Sequence, residues 1–209
     1  MSETRAKILD VAERLFGEEG YKAVSLRRIT AVAGVNLASI HYHFGSKEEL
    51  LDELVMRKST PLNEARMAGL QRLKAAAGSH PISLEDLLEA FLAPAFQFAS
   101  SSPGFAKLMG RLHAEGIMPA VARKHFGPVG ACFMAELRRA LPEMPEDELA
   151  WRAHFGIGAM AHALNSPPLE LAGRTGPVSP SLMVRRVVTF LSGGFRAPVV
   201  ARENIEVSE

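Results

Sequence analysis

The chain has 209 residues, 47% hydrophobic and 22% charged, with a formal net charge of +1. That is enough apolar material for a substantial core and more than a single small binding module needs, and the near-neutral total points by itself to neither nucleic acid nor an acidic substrate. The single cysteine, Cys132, excludes an internal disulfide; no start resembles a secretion signal; and the charge-free stretches 90–106 and 153–169 are interrupted by Pro, Ser, Gln, His or Asn, so a soluble protein of a reducing cytoplasm with no membrane partner is expected.

Residues 4–17 space Ile8, Val11, Ala12, Leu15 and Phe16 by three and four, which predicts an amphipathic helix stopped by Gly17 and Gly20. Ser25 suits the N-cap of a short second helix over 26–33, and Gly34 suits the left-handed turn that ends it. Asn36 can cap a third helix through about His43, which Gly45 terminates. Ser46 with Glu49 forms a capping box for a fourth, beginning near Lys47 and running to about Ala77 with Pro61 either kinking or dividing it. Three helices in 44 residues, the last two joined by a tight glycine turn, are the pattern of a helix-turn-helix.

Every later candidate is helical again: 83–100 with a kink at Pro94, 103–114, 119–141 interrupted near Gly127 and Pro128, 145–164 and 180–195. No segment alternates with period two for long enough to predict a strand, so the fold class is all-α. A Pro/Gly-rich loop is expected over 165–180. The domains are expected at 1–48 (helix-turn-helix), 49–196 (a larger helical domain) and 197–209 (a flexible tail).

Charge is distributed unevenly along this frame. Between Tyr21 and Lys47 stand Lys22, Arg27, Arg28 and Lys47 with no Asp or Glu, whereas Glu13, Glu18, Glu19, Glu48, Glu49, Asp52 and Glu53 crowd the flanks. A polyanion would be admitted to the middle and repelled at the edges.

The stretch "SLRRITAVAGVNLASIHYHFGSKEELL", followed by about 150 helical residues, resembles the N-terminal domain of the TetR/AcrR family of bacterial transcriptional regulators. The segments "VNLASIHYHFGSKEEL", "WRAHFGIGAMAHAL" and "MVRRVVTFLSGGFRAP" are similar to parts of a fatty-acid-responsive branch. The resemblance implies a double-stranded DNA operator, a homodimer and a small-molecule effector bound in the larger domain.

Within the helix-turn-helix the third helix presents its first residues to base edges. Asn36 and Ser39 can exchange hydrogen bonds with bases, and Leu37 or Ala38 can meet a thymine methyl. Ser25, Arg27, Arg28, His41, Tyr42, His43 and Lys47 surround them with donors suited to phosphate oxygens, Arg27 being preferred because adjacent arginines cannot both face one surface. The family usually carries tyrosine where His41 stands, which puts that contact in question. The alternative for Arg28 is a solvated helix face. Ile29, Val32, Val35, Ile40 and Phe44 are expected in the core.

In the larger domain Met183, Val187, Phe190 and Leu191, broadened by Val184 and Val188, make the last helix apolar over a wide arc, and Gly156, Gly158, Ala159 and Ala161 permit close approach to the helix before it. A homodimer through these two helices is expected, with a well-buried monomer core as the alternative. The ligand-region candidates are Phe91, Phe98, Phe105, Met109, Phe133 and Trp151, with Arg111, His113 and His154 as polar groups for an effector's head; simple core packing or surface placement is the alternative for each. An elongated hydrophobic effector follows, a fatty acid or its coenzyme A thioester. The seven histidines make no metal-ligand or triad spacing, so neither a cofactor nor catalysis is expected. The competing functions are a small-molecule binder whose DNA-binding domain is unused, an activator, and an all-α enzyme.

Overall fold

In a computed structural model, residues 3–165 and 178–199 are described, and these form ten α-helices and no strand. The expected loop lies outside the described residues over 166–177, as does the expected tail over 200–209.

The N-terminal helices are α1 (Glu3–Glu19), α2 (Leu26–Ala33) and α3 (Leu37–Phe44), followed by the long α4 (Lys47–Ala77). Their ends are set locally. Ser25 accepts from the Arg28 amide to open α2, and Gly34, at φ 64°, closes it with its N–H on the Thr30 carbonyl. Ser46 accepts from the Glu49 amide while the Glu49 carboxylate accepts from the Ser46 amide, completing the capping box of α4. Pro61 lies inside α4, which remains one helix of 31 residues.

The remaining helices are α5 (Leu84–Ser101), α6 (Pro103–Ala114), α7 (Met118–His125), α8 (Gly127–Ala140), α9 (Glu146–Asn165) and α10 (Pro180–Arg196). The segment over 119–141 is two helices. Phe126 lies between them without a side-chain cap, and Pro128 occupies the first turn of α8, where its missing N–H costs nothing.

Two apolar cores organise the molecule. The first joins Ile8, Leu9, Leu15 and Phe16 of α1 with Ile29, Ile40, Phe44, Leu50 and Leu54, and includes Phe105, Leu108 and Leu112 of α6 and Val121 of α7. The second joins Leu70, Leu87, Leu92, Phe133, Leu149, Val184, Val188 and Leu191. Helix α6 thus belongs to the packing of the N-terminal helices: a Cβ on Gly17 would stand 3.5 Å from the Gly104 carbonyl oxygen and 3.4 Å from the Leu108 amide, so α1 and α6 approach closely. Leu108 is fully buried there. Truncating it to alanine would cost about 2–5 kcal/mol and loosen the contact between the N-terminal helices and α6.

Candidate nucleic-acid interface and effector region

The acid-free window forms one end of the molecule. Ile29, Ile40 and Phe44 are buried, Val32 and Val35 partly so, and Thr30 satisfies its buried hydroxyl by donating to the Arg27 carbonyl at 2.9 Å. The buried set turns the polar side chains of α2 and α3 outward: Arg27, Arg28, Asn36, Ala38, His41 and Tyr42 are exposed, Tyr42 at 86%, while Leu37, Ser39, His43 and Lys47 are half-buried.

The two arginines differ in their partners. Arg28 Nη2 donates to Glu19 Oε1 at 2.9 Å, and that hydrogen bond holds its pKa above the ordinary arginine value. The Arg27 guanidinium has no partner among the described residues. Lys47 lies with its ammonium 4.4 Å from the Tyr21 ring centroid, and burial lowers its pKa. Burial, reinforced by Glu48, raises Tyr21 to about 12. His41 Nδ1 donates to the Gly45 carbonyl at 2.9 Å, and the His43 ring stands edge-on to Tyr42. The hydroxyl of Ser25 is engaged in its cap. Exposed Glu18, Glu48 and Glu49 border the window.

Two bridges connect this end to α6 and α7. At the end of α6 the C-cap residue Glu115 accepts the Lys22 amide at 2.8 Å and its carbonyl accepts Lys22 Nζ at 2.9 Å, while Arg111 of α6 donates to the carbonyls of Gly17 and Glu18 at 3.4 and 3.2 Å. From α7, Lys124 and His125 both reach Asp52 of α4 at 2.8 Å, and Asn63 Nδ2 donates to the His125 carbonyl at 2.7 Å. For Asp52, partial burial opposes ionisation, but the hydrogen bonds from Lys124 and His125 outweigh it and the carboxyl titrates below its ordinary range.

The ligand-region candidates are dispersed. Phe91 and Phe133 meet edge-on at 5.1 Å and line an apolar cavity of about 90 Å³ with Leu87, Leu88, Met134 and Leu191. Phe98 and Phe105 pack edge-on at 5.7 Å beside Met109 in the first core. Arg111, besides gripping α1, borders an open cleft of about 660 Å³ between α5, α6, α9 and α10. His113 is exposed. Trp151 and His154 lie on the outer face of α9, the indole 58% exposed and stacked on Phe155. The structure brings Phe91 and Phe133 together at the cavity, Phe98, Phe105 and Met109 together in the first core, and Trp151 and His154 together on α9, three groups apart from one another.

Further apolar side chains of the last two helices are exposed, Ile157 at the rim of the cavity lined by Phe91 and Phe133. Phe155, Ile157 and Phe190 are 62%, 53% and 72% exposed, and Cβ atoms added at Gly158, Gly193 or Gly194 would meet nothing within 4 Å. Phe190 departs from the stripe of Val187 and Leu191, which is buried with Val184 and Val188. Gly156 is buried against Leu191 and Phe195. Two buried arginines had no distinguishing signal in the sequence, since spacing along a helix does not separate an enclosed arginine from a solvated one. Arg152 donates to the carbonyls of Gly194, Phe195, Ala197 and Pro198 and pairs with Glu148, closing the end of α10. Arg66 lies between α4, α5 and α9.

A three-helix unit with a glycine turn, an acid-free outer face and an attached helical domain defines the class of helix-turn-helix regulators. The chain matches the model described as bacterial regulatory proteins of the tetR family over residues 8–54 and that of the tetracyclin repressor-like C-terminal domain over residues 89–194. It belongs to the TetR family of bacterial regulators, which are not enzymes. Among curated relatives, the HTH-type transcriptional regulator AcrR of Shigella flexneri is 46% identical over 52 residues, 25% of this chain and 24% of that protein. The repressor BepR of Brucella suis is 32% identical over 99 residues, 47% and 44% respectively. The chain therefore spans less than half the length of these relatives. A TetR-family regulator from Bordetella parapertussis has the same fold, with TM-score 0.70 and 17% identity over 96% of this chain and all of that one. The fatty acid degradation regulator FadR of Bacillus halodurans superposes with TM-score 0.64 at 16% identity over 95% and 99%. No helix among the described residues is long and apolar enough to cross a membrane.

Proposed function

We propose that this chain is a cytoplasmic repressor that binds a palindromic operator as a homodimer and is released by a hydrophobic small molecule, a fatty acid or its coenzyme A thioester. Residues 1–48 bind DNA, and 49–196 bind the effector and the second subunit. The observation that carries the reading is the exposed Arg27, without a partner among the described residues, on a face whose helices carry no acid, beside the first turn of α3. Arg27 neutralises a phosphate, and Asn36, Leu37, Ala38 and Ser39 read bases. His41, Tyr42, His43 and Lys47 border the backbone, with the charge of Arg28 shared with Glu19.

The exposed aromatic side chains of α9 and α10 support the dimer, because isolated monomers rarely leave Trp151, Phe155 and Phe190 all uncovered. Two recognition helices then sit about one DNA turn apart, on the order of 34 Å. An effector that prefers a different setting of α4, α6 and α7 moves the N-terminal helices through the Asp52 and Glu115 bridges and weakens DNA binding by its differential affinity, about 1–3 kcal/mol of coupling. The test is electrophoretic mobility of the DNA upstream of the chain's own coding sequence, with and without long-chain fatty acids or their thioesters. Retardation reversed by effector is expected. Failure to retard that DNA at micromolar protein favours the small-molecule binder, and retardation strengthened by effector with increased transcription favours an activator.

A further inference from the structure

Among the described residues Arg66 is a buried cation without an anion. It lies midway along α4 at 2% exposure; Nε donates to the Phe91 carbonyl at 2.9 Å, Nη2 has only the Met160 sulfur at 3.8 Å, and the guanidinium carbon stands 4.0 Å from the Phe91 ring centroid. The other buried charges are compensated. Glu136 is held by Lys74 at 2.7 Å and Arg139 at 2.9 Å, and Arg152 has Glu148 and four carbonyls. Burial alone, with no acid opposing it, lowers the pKa of Arg66 to about 10. A charge left unpaired in an apolar interior destabilises the fold, and a methionine or leucine of similar volume would not.

We infer that Arg66 is the anchor for the carboxylate head of an elongated apolar acid whose hydrocarbon body enters the cavity beside Phe91. The planar guanidinium fork matches a carboxylate with two parallel hydrogen bonds, and among the described residues the Nη groups are the ones left without an oxygen acceptor. Phe91 connects the two parts of the site: its ring carries the guanidinium on one face and also borders the cavity, against Phe133. The cavity's present volume of about 90 Å³ suits only a few methylene groups. Met67, Met134, Met160 and Met183 pack at the edges of this core, and such unbranched side chains repack readily around a longer chain. Pro94 contributes locally, since it has no N–H for the Ala90 carbonyl one residue before Phe91 and so loosens α5 where Arg66 docks.

The depth of Arg66 also selects among ligands. A head group must be small enough to be enclosed with it, which admits a free carboxylate and excludes the bulky, highly charged carrier of a coenzyme A thioester. The inference rests on the reading of the chain as a regulator with a hydrophobic effector, but it is tested by ligand binding in the absence of DNA.

The experiment is calorimetric titration and thermal melting of the full chain with dodecanoate, dodecanol and dodecanoyl-coenzyme A. Dodecanoate is expected to bind the parent at least about tenfold more tightly than either of the others. The Arg66→Met variant is expected to melt at or above the parent without ligand, to lose that preference, and to keep its affinity for dodecanol. Equal affinity of the parent for dodecanoate and dodecanol, or no binding of dodecanoate, overturns the inference whether or not the variant folds. So does an unchanged preference in Arg66→Met, or tighter binding of the thioester. Dodecanoate bound through Arg66 with no effect on DNA affinity leaves the anchor standing and removes release as the mechanism.

Discussion

The Oδ1 of Asn36 accepts two hydrogen bonds from Ser39, one from its amide at 2.8 Å and one from its hydroxyl at 2.9 Å. The acceptor side of this carboxamide is therefore used to start α3, and its NH₂ group is what remains for DNA. A donor-only group suits purine N7, guanine O6 or thymine O4 better than the bidentate contact with adenine, which needs both functions. Asn36→Asp should preserve the cap, leaving stability within about 0.5 kcal/mol, while weakening operator binding more than tenfold by placing an anion on the DNA face. Asn36→Ala should cost about 1 kcal/mol and change the sequence preference. Chemical denaturation and fluorescence anisotropy separate the two effects.

Arg27 and Arg28 provide a matched comparison because they are adjacent on one helix and only Arg28 is paired, with Glu19. Arg27→Ala is expected to weaken binding to every sequence and to lower the slope of log affinity against log salt by about 1. Arg28→Ala should have a smaller effect on both. Anisotropy titrations over a series of salt concentrations measure the slopes, and equal losses for the two variants would contradict the assignment of Arg27 as the phosphate ligand.

Phe190 is 72% exposed on α10, the helix packed beside α9 with its exposed Trp151 and Phe155. In the proposed dimer it becomes buried, so Phe190→Glu should convert a species of twice 22.6 kDa into one of 22.6 kDa in sedimentation. Helix content should be unchanged, because the side chain is free of the monomer's core.

Glu85 accepts hydrogen bonds from Arg196, one of them at 2.8 Å, and these bonds hold its carboxyl at about 2. A carboxyl depressed in the folded state binds its proton more weakly there than when unfolded. Its contribution is full above the unfolded value of about 4.3 and declines as pH falls from there towards 2. Melting temperatures of the parent should thus fall more steeply between pH 5 and 3 than those of Glu85→Gln, by a small margin because the pair is exposed to solvent. Parallel slopes would show that the pair contributes nothing.

Local chemistry was the legible part of this fold. Ser25, Gly34, Asn36, Gly45 and the Ser46/Glu49 box mark helix ends because a cap depends only on residues within a turn of it, and the structure has them where spacing predicts. The chain's path through Pro61 depended on context: that residue is exposed, so the disturbance falls on a face open to solvent and α4 continues. Arg66 was illegible for a related reason. In the run Glu64, Ala65, Arg66 it reads as one more solvated charge, and only the packing of Phe91 and Met160, 25 and 94 residues away, buries it. Exposed and enclosed aromatic side chains are equally hard to tell apart by spacing, which is why Trp151 of an outer face and Phe133 of a cavity lining looked alike.

The central claim is that the acid-free face of α2 and α3 lies against duplex DNA, twice per dimer. Chemical protection of guanine N7 on the DNA upstream of the coding sequence addresses it directly. The account predicts two protected major-groove segments related by a dyad, about one helical turn or a small multiple of it apart, both lost in Arg27→Ala at moderate salt. Protection confined to one groove segment, or persisting unchanged in that variant, would contradict it.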